Sequence, residues 1–433
     1  MVIKAPLLTR VLALGAVVAL TACSSPAPGL VKADGVERVS VERAAFDGEL
    51  SAFRTSALKL GNALLADGGD DANGNVIASP GSLLIALAML RAGASGDAAA
   101  EMDALLGLPE ANRDEAMNAL LAELEKFDGD PGSVDEANPP AEPLLHVANG
   151  LFVHGSVPTG EPYLQTLAKH YGSGVYPVDF RDKAVTSPAI DAWVDKNTGG
   201  RIKKAPADYD VNNTFSLLNA VYFASAWETP FSPNATYEEP FTTAAGGTVN
   251  VPMMHSLQDL AYAEGDGWQA VDLPYGEGFV MRLVLPADGG AAQAAGQSGD
   301  LLDPLKLADI AGSLEAAADE SVQLSLPKWN HKSAFDLRRV FEQFGLSSML
   351  NTTRDFDEIQ RGMTITQAAQ AANITVAEKG TIAAAVTQIN AEASSAKMPD
   401  PARILEFNRP FQYQIVHVET GMPLFMGKVA DPR

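Results

Sequence analysis

Two hydrophobic periods divide the chain. The stretch FDGELSAFRTSALKLGNALL (46–65) places apolar residues at mixed three- and four-residue steps, which predicts an amphipathic helix. A second helix is predicted over SLLIALAMLRAGA (82–94), because Ser79 and Pro80 stand where an N-cap and a first-turn proline belong. Later runs change character. LLNAVYFASAW (217–227), AVDLPY (270–275), FVMRLVLP (279–286) and VQLSLPKW (322–329) are β-branched or aromatic, bounded by Gly, Pro or Asp, and predict strands. The helical patterns IDAWVDKNTGG (190–200) and FDLRRVFEQFGL (335–346) lie between them. With helices early, strands late, no repeat period and no linker through the middle, the pattern predicts one α+β domain over 42–433 with mainly antiparallel sheets. One interruption stands out. FDGDPGSVDEANPPAEP (127–143) reads as a polar surface insertion, tolerated and without a role.

The first segment lies outside this domain. Lys4 and Arg10 precede VLALGAVVAL (11–20), an apolar run too short to span a bilayer but of signal-peptide length. LTAC (20–23) then resembles a bacterial lipobox, and Cys23 is the sole cysteine of the chain. The resemblance implies removal of residues 1–22, lipidation of Cys23, and a tether over 23–41 that anchors an exported cell-envelope protein to a membrane, in the periplasm or on the outer surface. A plain secretory signal with a chance cysteine is the alternative. A single thiol excludes intramolecular disulfides and thiolate-rich metal sites. The formal net charge of -23 argues against nucleic acid as a partner, since phosphates must be met by Lys and Arg, and suits solubility outside the cytoplasm.

Catalytic machinery is hard to find. Ser56 and Lys59 match the S-x-x-K pattern of penicillin-binding proteins and β-lactamases, but no K-T-G follows, and Lys379, Gly380 and Thr381 come in the wrong order. Both residues fall within the first predicted helix, on what reads as a solvated face. The histidines, His146, His154, His170, His255, His331 and His417, have no metal-ligand spacing. No G-x-S-x-G and no phosphate-cradling glycine loop occur. No enzyme activity, cofactor or metal is expected.

EKGTIAAAVTQ (378–388) is the unusual stretch. At period two, Thr381, Ala383, Ala385, Thr387 and Ile389 share one face, and Ile382, Ala384, Val386 and Gln388 the other. A permanent strand would use larger side chains, gaining about 0.8 kcal/mol per buried methylene. Small residues suit a segment that must enter a sheet already packed, where each misfit costs about 1–3 kcal/mol. Gly380 can serve as the hinge, and NAEASSAKMPDPAR (390–403) reads as an exposed loop open to proteolysis. An alanine-rich helix end followed by a loop fits the same residues.

TVAEKGTIAAAVT (375–387) resembles the hinge of the serpins, the serine protease inhibitors. The likeness extends through the segments at 75–108, 149–153, 217–231 and 251–255, and through LPKW, FNRPF (407–411) and PLFMGKVADP (423–432). It implies the serpin fold, with hinge and reactive-centre loop over 378–406. It further implies suicide inhibition: the target protease attacks the loop, forms its acyl-enzyme, and is carried away on the inserting strand. About fourteen residues at 3.3 Å each would displace it by on the order of 45 Å. Glu378, Gly380, Thr381, Ala383, Ala384 and Ala385 map to the hinge, Ser79, Ser82 and Asn219 to the shutter, and Trp227 to the breach. Three departures are visible. Gln370 stands where the shutter histidine is usual, Ile382 replaces an acidic residue, and Ala377 stands where an acidic or amide residue is common.

The loop is longer than usual, which blurs the scissile bond. Family spacing, roughly sixteen residues past the hinge glutamate, puts it at Ser394-Ser395, with Ala393-Ser394 one step away, implying an elastase-like or subtilisin-like target. Lys397-Met398 would instead suit a trypsin-like enzyme. A monomeric inhibitor is the leading expectation. A non-inhibitory serpin-fold lipoprotein with a binding role, or an S-x-x-K hydrolase, are the alternatives.

Overall fold

The computed structural model describes residues 26–69, 71–107, 112–209, 211–286, 303–381 and 403–433. Its helices are α1 (Asp47–Asp67), α2 (Pro80–Arg91), α3 (Gly96–Leu106), α4 (Arg113–Leu124), α5 (Glu161–Tyr171), α6 (Lys183–Asn197), α7 (Pro304–Glu315), α8 (Leu337–Gln343) and α9 (Ser347–Asn351). The first eight strands are β1 (Val76–Ala78), β2 (Leu144–His154), β3 (Tyr176–Val178), β4 (Phe215–Ala226), β5 (Thr236–Thr242), β6 (Thr248–Gly265), β7 (Trp268–Pro274) and β8 (Phe279–Pro286). The remainder are β9 (Asp319–Pro327), β10 (Trp329–Asp336), β11 (Gln367–Ala377), β12 (Gly380–Thr381), β13 (Arg403–Glu406), β14 (Phe411–His417) and β15 (Met422–Val429).

These strands form two sheets. The central one has the order β10-β11-β12-β4-β2-β3, and the larger follows β1-β15-β14-β8-β7-β6-β9-β13 with β5 on β6. Pairing is antiparallel except at β11/β4, β2/β3 and β9/β13, so the α+β reading with mainly antiparallel sheets holds. Helix α2 is buried at every position, as an all-round apolar sequence requires, and it packs on β4, β2 and β15. Strand β4 is buried on both faces. Leu218 and Ala220 meet α6 through Ile190 and Trp193, whereas Leu217, Val221 and Phe223 face the main core. That two-sided burial is why its sequence is a continuous apolar run rather than an alternation.

Three expectations change on contact with the fold. Residues 31–39 are not a free tether. Val31 and Val175 exchange backbone hydrogen bonds at 2.8 and 3.0 Å, and the Val39 carbonyl accepts from Asn118 Nδ2 at 2.7 Å, so this segment lies along α5 and α4. The 127–143 stretch is seated on the sheet: Pro131 is buried, and Val134, like Leu144, packs against Tyr222 and Ala224. Its acidic residues hid an apolar underside of only a few side chains. Ser56 is buried, not solvated, and donates to the Leu105 carbonyl at 2.8 Å where α1 crosses the end of α3, while Lys59 is exposed. The hydroxyl is therefore spent on structure.

Candidate functional site

The site is built between β11 and β4. These strands run parallel and pair from Gln367 opposite Ser216 to Ala371 opposite Ala220. Beyond that point they diverge. Among the described residues, 372–375 of β11 then pair only with β10, and 221–224 of β4 only with β2. At the far end the chain turns back through Glu378 and Lys379, and β12 enters between them: Thr381 lies opposite Val376 and Ser225, Gly380 opposite Ala377 and Ala226.

Trp227 organises that entry. Its indole Nε1 donates to the Ala377 carbonyl at 2.9 Å, and its backbone N–H donates to the Lys379 carbonyl at 2.9 Å. The ring stacks on Tyr275 at 4.3 Å and 15°, and the Tyr275 hydroxyl hydrogen-bonds Thr381 Oγ1. The Tyr275 phenol is raised well above its ordinary pKa by burial, so it stays neutral and able to donate. Glu378 pairs with Lys328 at 2.9 Å. Burial pushes its carboxyl up, but the Lys328 hydrogen bond and charge outweigh this and hold it below the usual carboxylate value. Gly380 has φ +153°, and a Cβ there would lie 2.1 Å from the Ser225 carbonyl oxygen, so only glycine allows the backbone to approach β4 this closely.

Deeper down, a buried polar chain joins the two strands where they still pair. The Gln370 side chain accepts from the Ser79 N–H at 2.9 Å and donates to the Ser79 carbonyl and to Asn219 Oδ1, both at 2.8 Å. Asn219 Nδ2 in turn donates to Ser82 Oγ and to Asn149 Oδ1, the latter at 2.6 Å. Ser79 occupies the N-cap position of α2, but its hydroxyl does not cap; it donates to the Leu424 carbonyl at 2.6 Å. The amide of Gln370, with donors and an acceptor, ties β11 to both β4 and α2. The groups in this chain of bonds are amides, hydroxyls and backbone, so Gln370 makes a neutral link where a histidine is usual.

The structure thus brings Ser79, Ser82, Asn219 and Gln370 into one cluster, and Trp227, Glu378, Gly380 and Thr381 into another. Ala383, Ala384, Ala385, Ala393, Ser394, Ser395, Lys397, Met398, Ile382 and Cys23 lie outside the described residues. Tyr275, Lys328 and Asn149 were not singled out from the sequence. Each is joined to the site by partners far along the chain, leaving no local pattern to find.

The family model for serpins, described as serine protease inhibitors, matches residues 53–432. The chain belongs to the serpin family. Among its relatives, an uncharacterized serpin-like protein of Thermococcus kodakarensis is 32% identical over 367 residues, covering 83% of this chain and 82% of that protein. Alpha-1-antiproteinase 2 of Equus caballus is 32% identical over 364 residues, with 83% and 82% covered. A thermophilic serpin, tengpin, in its native state superimposes with a TM-score of 0.76 at 23% identity, covering 94% of this chain and all of that one. Thyroxine-binding globulin in complex with thyroxine gives 0.72 at 22%, with 88% and 99% covered. These two likenesses establish the serpin fold. Within this serpin, the Trp227 clamp lies where β12 enters between β11 and β4, and the Gln370 link lies where those two strands still pair.

Proposed function

We propose that this serpin is an inhibitor of serine proteases rather than an enzyme, trapping an elastase-like or subtilisin-like target when the loop beyond Thr381 is cut. The observation that carries the reading is the position of β12: Gly380 and Thr381 lie between β11 and β4, above stretches of both strands with no pairing toward each other among the described residues. A strand continuing from Thr381 would hydrogen-bond both edges, and the residues that follow, Ile382 to Val386, are mostly alanine and fit without overpacking. Mixing the protein with elastase, subtilisin and trypsin is expected to give a covalent band on a denaturing gel with one of the first two. The released C-terminal fragment should begin at Ser395. A fragment starting at Met398 would move the target to the trypsin-like class, and clean cleavage by all three without a band would remove the trapping reading.

The lipobox resemblance supports a second part of the same reading, attachment of an exported chain to a membrane through Cys23. Cys23→Ser is expected to shift the protein from the membrane to the soluble fraction of cells that make it. Unchanged membrane association would exclude this anchor.

A further inference from the structure

We propose that Arg201 is the positioning residue that stops insertion at Thr381 until the loop is cut, and that the acidic stretch 128–143 holds it in place. The proposal rests on the insertion reading above. Arg201 follows α6 through a turn in which Gly199 and Gly200 have φ of +58° and +82°. Its guanidinium hydrogen-bonds Asn373 Oδ1, and Thr375 Oγ1 at 3.3 Å. Those two side chains stand on the portion of β11 that lacks a partner toward β4, on the same face as Ala369, which packs under α6. Helix α6 is itself fastened to the other side of the gap, through Trp193 with Phe152 of β2 and Leu218 of β4. Arg201 therefore spans the gap, carried by the β4 side and bonded to the β11 side.

Insertion works against that span. An entering strand drives β4 and β11 apart by up to about 4.8 Å, one interstrand spacing. A hydrogen bond tolerates only a few tenths of an ångström, so both Arg201 contacts on β11 must break. Glu136, 3.4 Å from the guanidinium Nε, supplies the countercharge that keeps this half-buried cation in place. The 128–143 stretch is fixed where it can do so. The Pro140 carbonyl accepts from the Ala226 N–H at 2.8 Å, and Asn138 Oδ1 accepts from Lys379 Nζ at 2.7 Å. The Lys379 contact is made to a turn that insertion leaves formed, so it secures the start of entry without opposing its progress.

The test is annealing of a synthetic peptide of residues 382–393 into the central sheet of the intact protein, followed by native-gel mobility and mass. Arg201→Ala is expected to anneal the peptide about tenfold faster than wild type, the loss of two charge-assisted bonds that oppose separation. Glu136→Gln, which keeps the side chain's size and removes only the countercharge, should give a smaller acceleration in the same direction. Lys203→Ala, which removes another cation from the same turn, should anneal at the wild-type rate. Arg201→Ala and Glu136→Gln annealing at or below the wild-type rate overturns the proposal. A wild-type protein that takes up peptide readily shows that such a result counts against Arg201 alone, whereas no uptake by any form overturns the insertion reading itself.

Discussion

Replacing Thr381 with arginine is expected to turn the inhibitor into a substrate, cleaved without forming a complex. Thr381 is buried between Val376 and Ser225, with its hydroxyl on Tyr275. A guanidinium at that position has no carboxylate in the wall described by Trp227, Tyr275 and β4, and burying an unpaired charge costs several kcal/mol. Insertion competes with deacylation, and each 1.36 kcal/mol lost shifts that competition about tenfold. The number of chains cleaved per complex formed should therefore rise at least about tenfold, read from densitometry of complex and cleaved bands at known protease input. A stoichiometry equal to wild type would show that Thr381 does not lie on the route of entry.

The second large effect is expected at Gln370. Leucine there fills a similar volume but leaves the Ser79 N–H and Asn219 Oδ1 without partners; the Ser79 carbonyl keeps its bond from the Leu83 N–H. Two orphaned buried groups cost about 2–6 kcal/mol together. For a chain of this size that corresponds to a fall in Tm of about 5 °C. Because the lost bonds join β11 to β4 and α2, the same variant should open the sheet more readily and form polymers or a spontaneously inserted state on mild heating. A Tm within about 1 °C of wild type, with no change in heat-induced polymerisation, would show that the amide is not the link described.

Before any fold was known, the site residues were named through the serpin resemblance, and only the unusual hinge stretch stood out from the residues themselves. Gly380 followed by a run of alanines is a conflict between position in a strand and absence of bulk, visible in a dozen consecutive residues. The α2 start was legible in the same way from Ser79 and Pro80, and the strands from their β-branched and aromatic content. What could not be read depends on partners far along the chain. The glutamine at 370 looked like a missing histidine because its bonds to Ser79 and Asn219 join residues 291 and 151 positions apart. Ser56 looked exposed because its acceptor belongs to α3, and 31–39 looked like a tether because Val175 and Lys169 are what make it pair. Composition marked the 127–143 stretch only as a polar surface insertion, without its few packed side chains. Its charges dominate the sequence, while Pro131, Val134 and the contacts to Lys379 and Arg201 decide where it sits.

The central claim is that the segment beyond Thr381 becomes a strand of the central sheet once the loop is cut. Thermal unfolding of the purified protein, intact and after limited cleavage within 382–402, addresses it without a target protease being known. A new central strand bonded to both β11 and β4 should raise the Tm of the cut chain by at least about 10 °C, and Thr381→Arg should abolish the gain. A cut wild-type chain that melts at or below the temperature of the intact one would contradict insertion.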